Sequence, residues 1–304
     1  MRARQEELEE KFRHLTNLPT LPEIATRLMG MINDPRTSTS DVADIIGQDP
    51  SLSSKVLRLA NSAFYGMPAK ITTVNHAVVL LGFKVITTIV LSVTVFDLFP
   101  ENKRSRGLFD RRAFWLHSLC CGLVSKQLAM HVKKRFLFDP EEAFCGGLLH
   151  DIGKVVLEQY MHEEFHGALK YAREKRLPMH IAEKKVLDFS HAEVAEWLTA
   201  TWGLPAEILK PLAHHHDPVL SGPAPGSAGL CHAADWLCYT MGMVIDPSYE
   251  TPVPSKEITD ALELTPLLVE ELQSKIPEEM EQSSLFLSIA GTSHEEPVHA
   301  PGRK

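Results

Sequence analysis

EEAFCGGLLHDIGK, residues 141–154, ends an apolar run of helical period on a histidine–aspartate pair. In mid-helix, His150 and Asp151 would point about 100° apart. At a helix end, followed by Gly153, both side chains can converge on one point. An imidazole beside a carboxylate suits a divalent transition metal. An open coordination position on such an ion would lower the pKa of bound water. Lys154, just past the turn, could bind an anionic substrate oxygen. Taken alone, the dipeptide is a weak signal, because His150 could instead cap its helix or bond to a neighbouring one.

Outward from this stretch, the N-terminal side reads as a series of helices. Residues 1–14 form a short charged one. In LPTLPEIATRLMGMINDP, residues 18–35, Pro22 suits a first turn, and Ile24, Leu28 and Met31 recur at helical spacing. Asn33-Asp34-Pro35 ends that helix. Ser40 caps a short helix through Ile46, closed by Gly47. Asp49-Pro50 starts another, with Leu52, Val56, Leu59 and Ala60 as its buried stripe. Thr73 caps a helix to Leu81, and Gly82 breaks the pattern. VITTIVLSVTVFDLF, residues 85–99, is shorter than the roughly 20 residues of a membrane span, so a buried helix or strand is expected.

The C-terminal side continues in the same way. ENKRSRG, residues 101–107, is a polar linker and the expected boundary between subdomains. FDRRAFWLHSLCCGLVSKQLAMHV, SHAEVAEWLTATWG, PAEILKPLAHHH and GLCHAADWLCYTMG all carry helix-period apolar residues. Ser190 and Glu193 form a capping box, and Pro205 opens the next helix. Residues 246–255 are loop-like, 257–290 hold one or two amphipathic helices, and 291–304 are expected to be disordered. The chain therefore reads as all-α.

Bulk composition narrows the function. Hydrophobic residues make up 44% and charged residues 23% of 304, as in a soluble globular protein. A net charge of −8 argues against a general nucleic-acid binder, which needs a basic face. The tight pair SDVADIIG and PSLSSKVLRLAN has the look of a helix-turn-helix, but its second helix offers only Lys55 and Arg58 as cations. Acidity concentrates in residues 251–304, with four basic and ten acidic side chains, most simply a solvated segment. The five cysteines, Cys120, Cys121, Cys145, Cys231 and Cys238, include no C-x-x-C pair and fit free thiols in a reducing compartment. No signal peptide opens the chain, so a cytoplasmic location without membrane attachment is expected.

Eleven of the fifteen histidines fall between His117 and His232. His117 shares a stripe with Phe114, Cys121 and Val124 and so faces inward. His191 opens the capped helix, and His214, His215 and His216 end another. Asp235 is on the inner face of its helix, where a carboxylate needs a partner or a metal. His232 is a competing partner for it.

The order His117, His150-Asp151, His191, His215-His216, Asp235 resembles the HD superfamily of metal-dependent phosphohydrolases. More closely, residues 15–245 resemble an HDOD domain. The likeness is carried by LPTLPEIATRLMGMINDP, IIGQDPSLSSKVLRLANSAFYG, ITTVNHAVVLLG, FWLHS, EEAFCGGLLHDIGK, DFSHAEVAEWLTATWGLP and AHHHDP. It implies a helical subdomain over 15–100 packed on an HD-like bundle over 108–245, with a C-terminal helical extension over 246–290. It also implies a regulatory, non-catalytic module of bacterial signal transduction. Its expected partners act in trans: a kinase, a response regulator, a cyclic-dinucleotide signalling protein, or a second copy of the chain.

The ligand set is similar to that of HD-GYP phosphodiesterases, which implies an alternative activity, metal-dependent phosphohydrolysis of a cyclic nucleotide. On that reading His117, His150, Asp151 and Asp235 would hold Fe, Mn or Zn. His191, His215 and His216 would hold a second ion or the phosphate, and Lys154 would neutralise developing charge. Two departures stand against it. VLSGPAPG follows HHHDP in place of a GYP signature, and Ala113 stands where a carboxylate would add a ligand.

Overall fold

The computed structural model describes residue 12 and residues 18–31, 34–100, 108–200, 202–218, 220–221, 224–245 and 253–289. The linker over 101–107, the tail over 291–304 and, apart from Phe12, the helix expected over 1–14 lie outside these residues. Four helices open the described chain: α1 Glu23–Met31, α2 Thr39–Gly47, α3 Pro50–Ala60 and α4 Val74–Leu98. The N-termini of α3 and α4 are explained locally. Asp49 Oδ1 accepts from the Ser51 and Leu52 amides at 2.8 and 3.0 Å, and Thr73 Oγ1 accepts from the His76 amide at 3.2 Å.

The cap of α2 corrects the sequence reading. It is Ser38, not Ser40: Ser38 Oγ accepts from the Asp41 amide at 3.2 Å, and Asp41 Oδ2 accepts from the Ser38 amide at 2.8 Å. A reciprocal box needs an acceptor side chain three residues on. Ser38 has Asp41 there, whereas Ser40 has Ala43.

α4 is the beam of the N-terminal part. Gly82, at φ 85° and ψ 165°, breaks it into two helical pieces as expected. By length and composition α4 could cross a membrane. Instead Ile86 to Phe96 is buried inside the protein, with α1, α2 and α3 packed along it. Lys55, one of the two cations of the α2–α3 pair, is held by Asp97 Oδ2 at 2.6 Å. Phe96 meets Trp115 edge-on at 4.6 Å, and Lys84 reaches Asp139 and Glu142 at 2.8 and 3.2 Å, so α4 is also the seam to the second part.

That second part comprises α5 Arg111–His131, α6 Pro140–Leu149, α7 Ile152–Tyr160, α8 His162–Lys175, α9 Met179–Val186, α10 His191–Thr199, α11 Ala206–His214 and α12 Ser227–Thr240. α5 packs along α6 and α12; α11 bridges α6 and α12; α10 lies across α7 and α11. A two-residue antiparallel ladder, β1 Leu220–Ser221 with β2 Ala224–Pro225, interrupts an otherwise all-helical architecture.

The acidic C-terminal segment is not simply solvated. It forms three helices, α13 Lys256–Ala261, α14 Pro266–Gln282 and α15 Ser284–Ile289, where one or two were expected. Leu268, Leu272, Ile276 and Met280 form one buried stripe of α14 against α5, while Glu270, Glu271, Glu278 and Glu281 face water. Phe286 of α15 packs between Phe64 and Phe144, at 5.9 Å from each. Net charge marked the segment's polar face, and the amphipathic period read over 257–290 marked the complementary apolar one.

Candidate metal centre

α6 ends at Leu149 and α7 begins at Ile152, so His150 and Asp151 occupy the corner between them. This corner is held against the start of α10. A Cβ added to Gly153 would lie 1.9 Å from the His191 carbonyl oxygen and 2.7 Å from its carbon. Glycine is thus the residue that lets two backbones touch here. His117 comes from the middle of α5, His215 and His216 from the end of α11, and Asp235 from the inner face of α12.

Asp151 is the hub. Its Oδ1 lies 3.0 Å from His191 Nε2 and 3.5 Å from His215 Nε2. Its Oδ2 lies 3.4 Å from His150 Nε2, 3.8 Å from His117 Nε2 and 2.6 Å from Lys154 Nζ. Asp235 Oδ1 is 3.3 Å from His117 Nε2, and His216 Nε2 is 2.9 Å from His191 Nε2. The structure therefore brings together all seven of the His and Asp residues singled out in sequence. It arranges them as two lobes sharing one carboxylate: His117, His150 and Asp235 on one side, His191, His215 and His216 on the other.

The far nitrogens explain the orientation. His117 Nδ1 is 2.8 Å from the Met243 carbonyl, His150 Nδ1 2.7 Å from the Gly147 carbonyl, and His215 Nδ1 2.7 Å from the Pro211 carbonyl. A carbonyl can only accept, so each ring carries a proton on Nδ1 and turns its Nε2 toward the Asp151 and Asp235 carboxylates. His191 Nδ1 donates in the same way to Glu183 Oε2 at 2.6 Å, a histidine–carboxylate pair that fixes ring and tautomer. Met243, Pro211 and Glu183 were not legible in the sequence. They follow from where helices end and pack in space.

The donor set fits a metal on two observations. First, His150 Nε2, His215 Nε2 and Asp151 Oδ1 are buried without a hydrogen-bond partner, which is costly unless something else satisfies them. Second, donor separations of 2.9–3.5 Å around Asp151 and His191 match adjacent ligands about 2.0–2.2 Å from a common ion. Imidazole and carboxylate together select a transition ion such as Fe, Mn or Zn over Ca or Mg.

The charge states agree with this arrangement. Burial would raise the Asp151 carboxyl, but the His150 and Lys154 cations outweigh it and hold Asp151 well below the usual carboxylate range. Burial pulls His215 down to about 4, and burial together with its histidine neighbours drives His216 well below an ordinary imidazole. Burial opposes charge on His117 too, yet Asp235 raises it.

One expectation changes, and one residue gains a partner. Lys154 is nearly buried, with its ammonium 2.6 Å from Asp151 Oδ2. His232 does not compete for Asp235; its Nδ1 meets the His215 carbonyl at 2.7 Å and braces the end of α11. His180, not singled out in sequence, stacks on His216 at 3.9 Å.

The comparisons follow the same lines. The HDOD domain family model matches residues 18–218. An HDOD domain protein of unknown function from Geobacter sulfurreducens is 27% identical, with a TM-score of 0.76 over 94% of this chain and 98% of that one. A signal-transduction candidate from Marinobacter aquaeolei shares the fold at 22% identity, with a TM-score of 0.74 over 96% of this chain and 66% of that one. A phosphohydrolase candidate from Shewanella amazonensis shares it at 24% identity, with a TM-score of 0.68 over 91% and 97%. An uncharacterised Treponema pallidum protein is 25% identical over 203 residues, which is 67% of this chain but 38% of that longer protein. With the profile match spanning the N-terminal helices and the His/Asp cluster up to His216, the chain belongs to the HDOD family.

Proposed function

We propose that the chain is a regulatory module of bacterial signal transduction, located in the cytoplasm. Its His/Asp centre holds a divalent transition metal as a structural and conformational element, and its output is made through protein contacts. The observation that carries this reading is the enclosure of the donor set. His150, His191 and His215 are 0% exposed and Asp151 is 1% exposed. Lys154, which would meet a substrate anion in a hydrolase, is engaged with Asp151. Ala113 adds no further ligand on α5. The ion would be held by His117, His150, Asp151 and Asp235, with His191, His215 and His216 available to a second. The partner is a kinase, a response regulator, a cyclic-dinucleotide signalling protein or a second copy of the chain.

A second reading, a metal-dependent phosphohydrolase, is favoured by the two-lobed His/Asp set and by its more open rim, where the Asp235 side chain is 11% exposed. A bound ion would supply Lewis acidity and a water of lowered pKa there. One experiment separates the two. The purified protein and Asp151→Asn are analysed for metal content, for fold by circular dichroism, and for hydrolysis of bis(p-nitrophenyl) phosphate and cyclic dinucleotides. The expected result is at least one ion per chain, lost in the variant, with no turnover by either. Hydrolysis that Asp151→Asn abolishes would establish the second reading instead. A folded protein with no metal after reconstitution would overturn both.

A further inference from the structure

Glu158, His162 and His166 recur every fourth residue across the junction of α7 and α8, and none of them belongs to the buried centre. One side chain from each offers a donor atom, and the three atoms lie within 4.8 Å of one another. The two imidazoles face each other with ring centroids 4.0 Å apart. Glu158 is 2% exposed, and its two oxygens are divided between tasks. Oε2 is gripped by Arg111, with Nη2 at 2.8 Å and Nε at 3.3 Å. Oε1 lies 3.4 Å from His162 Nδ1. His166 Nε2 is enclosed and makes no hydrogen bond, although the residue as a whole is only partly buried.

We propose that Glu158, His162 and His166 form a second, more accessible site for a divalent transition-metal ion. Two imidazoles and a carboxylate are the donors that Zn2+, Ni2+ and Cu2+ prefer, and three protein ligands leave positions open to water. The i, i+4 spacing puts both rings over one face of α8. Arg111 acts as an outer support, because a carboxylate clamped through one oxygen presents the other in a fixed direction. Arg111 also donates to the Phe99 carbonyl at 3.1 Å, just past the end of α4. An ion here therefore fastens the seam between the N-terminal helices and the second part. Hydrated Mg2+ or Ca2+ would find a single carboxylate and two nitrogens, a poor set for a hard ion.

The test is a titration of the full chain, already loaded at its buried centre, with Ni2+ alone by calorimetry. It is run in parallel on His162→Gln/His166→Gln and on the single variant His166→Gln. The wild type is expected to bind one ion per chain more than the double variant, with at least tenfold weakening in the single one. Cu2+ bound at this site should show nitrogen hyperfine structure that the double variant lacks. The thermal midpoint should rise with Ni2+ in the wild type and not in the double variant. Equal stoichiometry and affinity in all three proteins would overturn the proposal. So would loss of the added ion in Asp151→Asn, which would place it in the buried centre. Both histidines are partly exposed, and the single variant keeps the test decisive should the double one fold poorly.

Discussion

Gly153→Ala and Gly167→Ala are the same chemical change in two helices, and the structure requires opposite outcomes. Gly167 sits in α8, where an added Cβ meets only Val186 Cγ1 at 3.8 Å, an ordinary contact. There the gain in helix propensity, up to about 1 kcal/mol, should appear almost undiluted. At Gly153 the same methyl would lie 1.9 Å from the His191 oxygen, 2.7 Å from its carbon and 3.0 Å from its Cα. Carbon contacts begin near 3.5 Å, so the start of α10 must retreat by about 1.5 Å. All three opposing atoms are backbone, and no rotamer change can absorb the shift. Overpacking of this kind costs about 1–3 kcal/mol, and the upper end applies when a whole helix end must move. Set against about 1 kcal/mol of propensity, the net loss is about 2 kcal/mol, while Gly167→Ala gains up to about 1 kcal/mol. Moving α10 also draws His191 Nε2 away from Asp151 Oδ1, now 3.0 Å distant. Urea unfolding of the three proteins, read with metal content, measures both effects. Two variants within 0.5 kcal/mol of each other, both retaining metal, would refute the reasoning that a backbone contact fixes this corner.

Arg111 and Glu158 form a buried ion pair at 4% and 2% exposure, so Arg111→Met should cost about 3–5 kcal/mol in urea unfolding. Arg111→Met combined with Glu158→Leu should recover much of that loss, because the isolated charge is the costly species. Gly82→Ala, with nothing within 4 Å of its Cβ but a backbone at φ 85°, should lose about 1–3 kcal/mol from strain alone. Burial lowers His180 to about 3, below an unfolded value near 6.5. Below pH 6.5 the unfolded chain binds a proton that the folded one refuses, so His180 destabilises the metal-free protein as pH falls towards 3. Relative to wild type, His180→Gln should therefore gain up to about 1.4 kcal/mol per pH unit between pH 6 and 4, and a pH-independent difference in urea midpoints would contradict the burial.

Much of the fold could be read from local signals. Asp49, Thr73 and the Ser190–Glu193 pair sit at helix starts because short polar side chains satisfy amides that the helix itself leaves unpaired. Gly82 ends a helical piece where its period fails. Inward stripes and helix ends made the seven His and Asp residues candidates together with His214 and His232, and the resemblance to the HD superfamily selected the seven. What escaped was what depends on distance in space. Ser38 and Ser40 are two residues apart, and only the position of Asp41 decides between them. Glu183 lies on α9 and becomes meaningful only once α10 folds back to put His191 beside it. The C-terminal helices were legible as amphipathic, but that the apolar stripe of α14 packs on α5 depends on the tertiary fold.

The tautomers make the centre more than a crowd of histidines. Were Nδ1 of His117, His150 and His215 unbonded, either nitrogen could carry the proton and the rings could satisfy one another. With Nδ1 committed to carbonyls, three Nε2 atoms and one carboxylate are forced into the same buried volume. His150 Nε2, His215 Nε2 and Asp151 Oδ1 are left there without a hydrogen bond, at a cost of about 1–3 kcal/mol each. Summed, that rivals the whole stability of a typical domain, about 5–15 kcal/mol. A proton can relieve part of it where His117 meets Asp235 and His150 meets Asp151, but burial pulls His215 and His216 in the other direction. A metal ion would satisfy those two rings without asking either to charge. If the proposed ion is held here, metal affinity and folding stability are linked at this corner, and dependence of the fold on that ion would explain why a proposed regulatory domain keeps a hydrolase-like ligand set.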